Sequence, residues 1–167
     1  MPYAYYARLN KANQAIYRRS EAVERVALHE PQILHPAVRR LGQALAVEHR
    51  AAVELAAREL TDGLLADLGL APVALKVLAV RPSHDWGELH GLYERPEGRS
   101  RARISVWMRT ARHKRTVAFR TFLRTILHEI CHHLDYELLQ LPDSFHTQGF
   151  FKRESSLFHQ LLVSSKS

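Results

Sequence analysis

The stretch Thr125-Ile126-Leu127-His128-Glu129-Ile130-Cys131-His132-His133-Leu134-Asp135 constrains this chain more than any other. It lies inside a longer run, Val117 to Leu139, that contains no Gly or Pro. Phe119, Leu123, Ile126, Leu127, Ile130, Leu134 and Leu138 recur there at helical spacing. The run therefore reads as a helix with a broad apolar face, buried and rigid. His128 and His132 stand one turn apart on one side of it, so both imidazoles can reach a single metal ion. Glu129 is rotated by about 100° from His128, which suits a carboxylate that meets the metal's water without ligating the metal. Cys131, the one cysteine, cannot form an internal disulfide and is expected to pack with Leu127 and Leu134.

A catalytic zinc site takes three protein ligands and a water. Beyond the two histidines, the residues within reach are His146, Asp135, His133, Asp143 and Glu154. Asp135 lies about 10 Å further along the helix than His128, so a straight helix cannot bring both onto one ion. It reads instead either as an acceptor for the ring N–H of His132 or as an ordinary Asp on the helix surface. His133 points about 100° away from His132 and is expected at the surface or in a supporting place. His146 comes after the Pro142 break, where the chain must turn back past the metal helix; it is the expected third ligand, with Glu154 next. Three nitrogen ligands suit zinc best.

Around this helix the chain reads as α+β. Leu9, Ala12, Ile16, Val23 and Val26 predict a helix from Tyr5 to Leu28. A second, Ala-rich helix is predicted from about Pro36 to Leu68, with Gly63 or Gly69 bending or ending it. From Ala71 the texture changes to short β-branched runs. Val73 to Val80, Leu89 to Glu94 and Arg103 to Met108 read as three strands of a small antiparallel or mixed sheet, the spacing favouring an antiparallel meander. Ser144 is expected to cap a last helix bearing Phe150, Phe151, Leu157, Phe158, Leu161 and Leu162.

With 167 residues, 46% hydrophobic and 25% charged, the chain suits one globular domain, residues 1–35 forming an N-terminal helical extension and 36–167 the core. No apolar run approaches the roughly 20 residues of a membrane span. Met1 to Tyr6 lacks a basic stretch followed by an apolar one, so no secretion signal is expected, and with a single cysteine the cytoplasm is the expected compartment. The net charge of +7 would attract polyanions. Arg95, Arg99, Arg101, Arg103, Arg109, Arg112, His113, Lys114, Arg115, Arg120 and Arg124 gather in residues 95–124, a stretch for DNA or RNA contact or a solvated face. No helix-turn-helix, zinc finger or aromatic RNA-binding signature accompanies them.

His128-Glu129-x-x-His132, followed by His146-Thr147-Gln148-Gly149-Phe150 at the start of a last helix, resembles the SprT-like family of zincin metallopeptidases. That family pairs a His-Glu-x-x-His helix with a downstream His-Gly-x-x-(Trp or Phe) segment carrying the third zinc ligand. The order of long helix, three short strands and active-site helix is also similar, over about Pro36 to Val163. Here Gly149 stands three residues after His146 instead of adjacent to it. The resemblance implies a minimal zincin-like core, a protein or peptide substrate, and His128, His132 and His146 on Zn2+. Some members of the family are DNA-associated proteases.

The chemistry implied is amide hydrolysis, Glu129 taking a proton from a zinc-activated water and passing it to the leaving amine. Tyr136, Arg153 and His113 are the residues weighed as oxyanion donor, and Arg103 to Met108 as an edge strand for an extended peptide. One rival is a zinc-dependent ribonuclease-like pattern, His-x-x-x-His-x-x-x-x-x-His, but Leu138 occupies its third position. Another is a nucleic-acid-binding protein with structural zinc, though such sites usually close with four ligands and often use Cys.

Overall fold

The computed structural model describes residues 2–80, 83–84, 87–88, 90–110 and 113–162. Met1, Leu89, Arg112 and Val163, which figure above, lie outside the described residues. The first predicted helix is shorter than expected at both ends. A 3-10 turn, Ala4–Arg8, comes first, and Asn10 then caps α1 (Lys11–Glu21) by accepting from the Asn13 N–H at 2.8 Å. At its far end the Ser20 and Val23 carbonyls accept from the buried Arg153 guanidinium, which draws the chain out of helix before Leu28.

The predicted 36–68 helix is two helices, α2 (His35–Ala46) and α3 (Arg50–Asp67). Glu48 breaks them at φ 55°, in the left-handed region, and its carboxylate is held there by Arg109 and the Thr116 hydroxyl. The His49 ring caps α3 by accepting from Ala52 N–H at 3.1 Å. Gly69, at φ 74°, closes the far end, where the Leu70 N–H returns to the Leu65 carbonyl at 2.8 Å. Gly63 stays inside the helix, where a Cβ would come within 2.6 Å of Leu34 Cδ2, so its role is close packing and not a bend.

The strands are β1 (Ala74–Val80), the short pair β2 (Ser83–His84) and β3 (Gly87–Glu88), β4 (Gly91–Glu94) and β5 (Arg103–Arg109). The main sheet runs β1-β5-β4, with β1 and β5 parallel and β4 and β5 antiparallel. It is therefore mixed and not a meander. The stretch between Val80 and Arg103 is long enough to carry the crossover that a parallel pair requires. β5 is central, with Ile104 to Met108 all buried, so it cannot serve as the expected edge strand.

The last two helices, α4 (Phe119–Glu137) and α5 (Gln148–Leu162), pack on each other, α4 also lying against β4 and β5. Phe122, Leu123, Ile126, Leu127, Ile130 and Cys131 of α4 enter one core with Leu41, Leu60, Leu64, Val106, Phe150 and Leu157. α4 stops at Glu137, ahead of Pro142, with Gln140 at φ 55° turning the chain back. α5 is capped by Thr147, whose hydroxyl accepts from Phe150 N–H at 2.9 Å, and not by Ser144. No described helix is long and apolar enough to cross a membrane.

Candidate metal centre

The i, i+4 spacing on α4 and the return of the chain before α5 bring three imidazoles to one point. His146 Nε2 lies 3.1 Å from His128 Nε2 and 3.0 Å from His132 Nε2. Two nitrogen ligands of a tetrahedral zinc would stand about 3.3 Å apart, so the spacing fits such an ion closely.

The outer nitrogens decide which lone pairs face inward. His128 Nδ1 is 2.8 Å from Glu154 Oε1, and a carboxylate offers only acceptors, so Nδ1 carries the proton. His132 Nδ1 is 2.7 Å from Ser144 Oγ, whose own hydrogen goes to Asp135 Oδ2 at 2.7 Å. That ring too is protonated outward. Both Nε2 atoms then present lone pairs towards His146 Nε2, and a single N–H on His146 can serve only one of them. A bound cation satisfies all three at once. These residues fit a metal.

The electrostatics agree with this. Burial, reinforced by the neighbouring His128 and His146, pushes the His132 imidazole down to about 3, so it is neutral and free to donate a lone pair. Glu129 is buried, and loss of water pushes its carboxyl up to about 7, against the pull of His128 and with the push of Glu154. A carboxyl held near neutrality is suited to taking and returning a proton.

A cleft opens beside these groups, bounded by His90, Gly91, Thr125, Arg124 and Phe151 as well as the three histidines, Glu129 and Glu154. Gly91 belongs to β4. A Cβ there would come within 2.9 Å of Thr125 Cγ2 and 3.1 Å of Glu129 Cγ, so only glycine lets the strand pass this close to Glu129.

The expected residues thus divide. His128, His132, His146 and Glu129 come together. Asp135 does support His132, but through Ser144, because it is spent directly on Arg153 at 3.0 Å in a fully buried ion pair. Burial pushes the Asp135 carboxyl up, and Arg153 and Ser144 pull it back. Glu154 meets the outer nitrogen of His128 and lies outside the three-histidine cluster. Arg153 is excluded as an oxyanion donor: it is 1% exposed and its guanidinium is occupied by Asp135, Ser20 and Val23. Tyr136 donates to Asp143 at 3.2 Å beneath the Arg95 guanidinium, and neither it nor the exposed turn residue His113 bounds the cleft. His133 is buried, not superficial, with its Nδ1 2.7 Å from the Tyr93 hydroxyl.

Three contributors were not anticipated. Ser144 is the link between Asp135 and His132. Tyr93 of β4 stacks on His132 at 6.5 Å while holding His133. Arg124 joins Glu154 at 3.3 Å and lies over the Phe158 ring. Arg124 stands one turn before His128 on α4, a spacing that could have placed it beside the site. Nothing local to Ser144 signals its role. No family model, curated protein or solved structure matches this chain.

Proposed function

We propose that this chain is a zinc-dependent metallopeptidase, SprT-like in its site, that hydrolyses peptide bonds in an extended segment of protein. The observation that carries the reading is the convergence of three imidazoles on one point, those of His128 and His132 protonated outward, with the buried Glu129 facing the same cleft. Zinc in such a site supplies acidification of a water to near pH 7 and polarisation of a carbonyl. Glu129 takes the proton of the attacking water and returns it to the leaving amine. The chain Asp135–Ser144–His132 and the pair Glu154–His128 hold the rings in one tautomer throughout.

The sheet favours a peptide substrate. Its β1 edge is already occupied by α3: Arg50 and Arg58 donate to the Val77 and Leu75 carbonyls at 3.0 and 2.9 Å, and Glu54 accepts from Val77 N–H at 3.1 Å. The other edge is β4, which has no second strand neighbour among the described residues and reaches the cleft at Gly91. An extended peptide adding to β4 would lay its backbone beside Glu129.

Three protein ligands, without a fourth in the cluster among the described residues, suit an open catalytic site better than a closed structural one. In the basic stretch, Arg109 and Arg124 are committed to Glu48 and Glu154, while Arg99, Arg101, Arg103, Lys114, Arg115 and Arg120 remain exposed. That exposed part favours proteins associated with DNA or RNA as substrates. Metal analysis tests the reading: the purified protein should hold one zinc per chain and His146→Ala should lose it, whereas zinc retained by that variant would remove His146 from the site.

A further inference from the structure

The segment that carries His146 is built against the N-terminal residues. The Tyr5 hydroxyl donates to the His146 carbonyl at 2.6 Å. Ser20 and Thr147 share a buried hydroxyl contact at 3.0 Å, and the Gly149 N–H donates to the Glu21 carboxylate. Phe151, stacked on the His146 ring at 5.8 Å, meets Tyr3 edge-on at 6.5 Å. At Gly149 a Cβ would fall 2.5 Å from the Ser20 carbonyl, so α1 and the start of α5 meet backbone to backbone. A second route reaches another ligand, from Ser20 and Val23 through Arg153, Asp135 and Ser144 to His132.

On the first ligand route the decisive contact is Tyr5. The other bonds fix residues flanking His146, whereas Tyr5 alone among them holds its own peptide unit. Nothing in its chemistry requires Tyr5 to touch the metal. Its ring is seated edge-on against Tyr17 at 5.5 Å, so the hydroxyl is presented from a packed base.

We propose that Tyr5 is a positioning residue for the third ligand, and that docking of the N-terminal segment and metal binding are therefore coupled. The inference rests on the metal reading above. Coupling of this kind is reciprocal: if the docked segment raises metal affinity, bound metal must tighten the segment by the same factor.

The test uses the full chain and Zn2+ itself. Zinc affinity would be measured by competition with a chromogenic chelator for the wild type, Tyr5→Phe, Tyr6→Phe and His146→Ala, with amide hydrogen exchange recorded over residues 4–9 with and without zinc. Tyr5→Phe keeps the ring and its packing and removes only the bond to His146; the affinity should fall about tenfold, in the range that outer partners of metal ligands command. Tyr6→Phe removes the bond from Arg18 to the Tyr6 hydroxyl in the same segment, which does not reach the site, and should bind zinc like the wild type. Zinc should slow exchange over residues 4–9 in the wild type and much less in Tyr5→Phe. Wild-type affinity in Tyr5→Phe, with exchange at residues 4–9 indifferent to zinc, would overturn the coupling while leaving the metal centre intact. Equal weakening by Tyr5→Phe and Tyr6→Phe would overturn the specific role of Tyr5. A wild type that binds no zinc, or binds it as well as His146→Ala does, brings down the metal reading itself.

Discussion

Glu154 accepts a hydrogen bond from His128 Nδ1 at 2.8 Å while its other oxygen lies 3.3 Å from Arg124. A carboxylate expected next in line as a ligand thus orients the His128 ring instead. Replacing it by Gln leaves an acceptor but removes the charge that strengthens the bond. Glu154→Gln should weaken zinc binding about tenfold with the fold retained, measured by chelator competition beside circular dichroism. Unchanged affinity would show that His128 needs no such partner.

At Gly149 the start of α5 passes so close to α1 that a Cβ would fall 2.5 Å from the Ser20 carbonyl oxygen. Because the obstructing atoms belong to the Ser20 and Glu21 backbone, they cannot swing away. Gly149→Ala should cost about 1–3 kcal/mol of stability, read as a lower thermal midpoint of the metal-free protein. A midpoint equal to the wild type would mean that α1 can shift freely over α5.

Asp67 gives the pH dependence a defined sign. Burial disfavours its charge, but the His29 and Glu30 N–H groups, each donating at 2.8 Å, outweigh that and hold the carboxyl below its usual 3.8. The native state therefore binds fewer protons than the unfolded chain in this range, so the contribution is complete above about pH 3.8 and is lost as pH falls through the lower, native value. Asp67→Asn should be less stable by about 1–2 kcal/mol at neutral pH, and the gap should close in acid. Denaturant titrations at pH 7 and pH 3 would show it; a gap that widens in acid contradicts the assignment.

Much of this was legible in the sequence. His128, Glu129 and His132 are placed by helix geometry alone, and His146 by the break at Pro142 that forces the chain back. The reading failed where a tertiary partner overrode a local pattern. Glu48 adopts a left-handed conformation because Arg109 and Thr116, distant in sequence, hold its carboxylate, and so one predicted helix became two. Arg153 stands in the sequence as a candidate oxyanion donor, yet Asp135 and the end of α1 bury it. The order of the sheet, with β5 central, depends on a crossover that no strand pattern reveals.

Removing the metal should cost stability as well as activity. A ligand bound only by the native state adds about 4 kcal/mol when present at a thousand times its dissociation constant. Chelation should therefore lower the thermal midpoint of the wild type by several degrees and leave that of His146→Ala almost unmoved. Identical midpoints with and without chelator in the wild type would argue against a bound ion.

The central claim is that Glu129 moves the proton in a metal-assisted peptide hydrolysis. The most direct measurement is cleavage of an unfolded protein by zinc-loaded wild type and Glu129→Gln, with zinc content determined for both. The account predicts equal zinc and a loss of at least 10²-fold in cleavage rate for the variant, the scale of a positioned general base. Equal zinc with cleavage at the wild-type rate would contradict it.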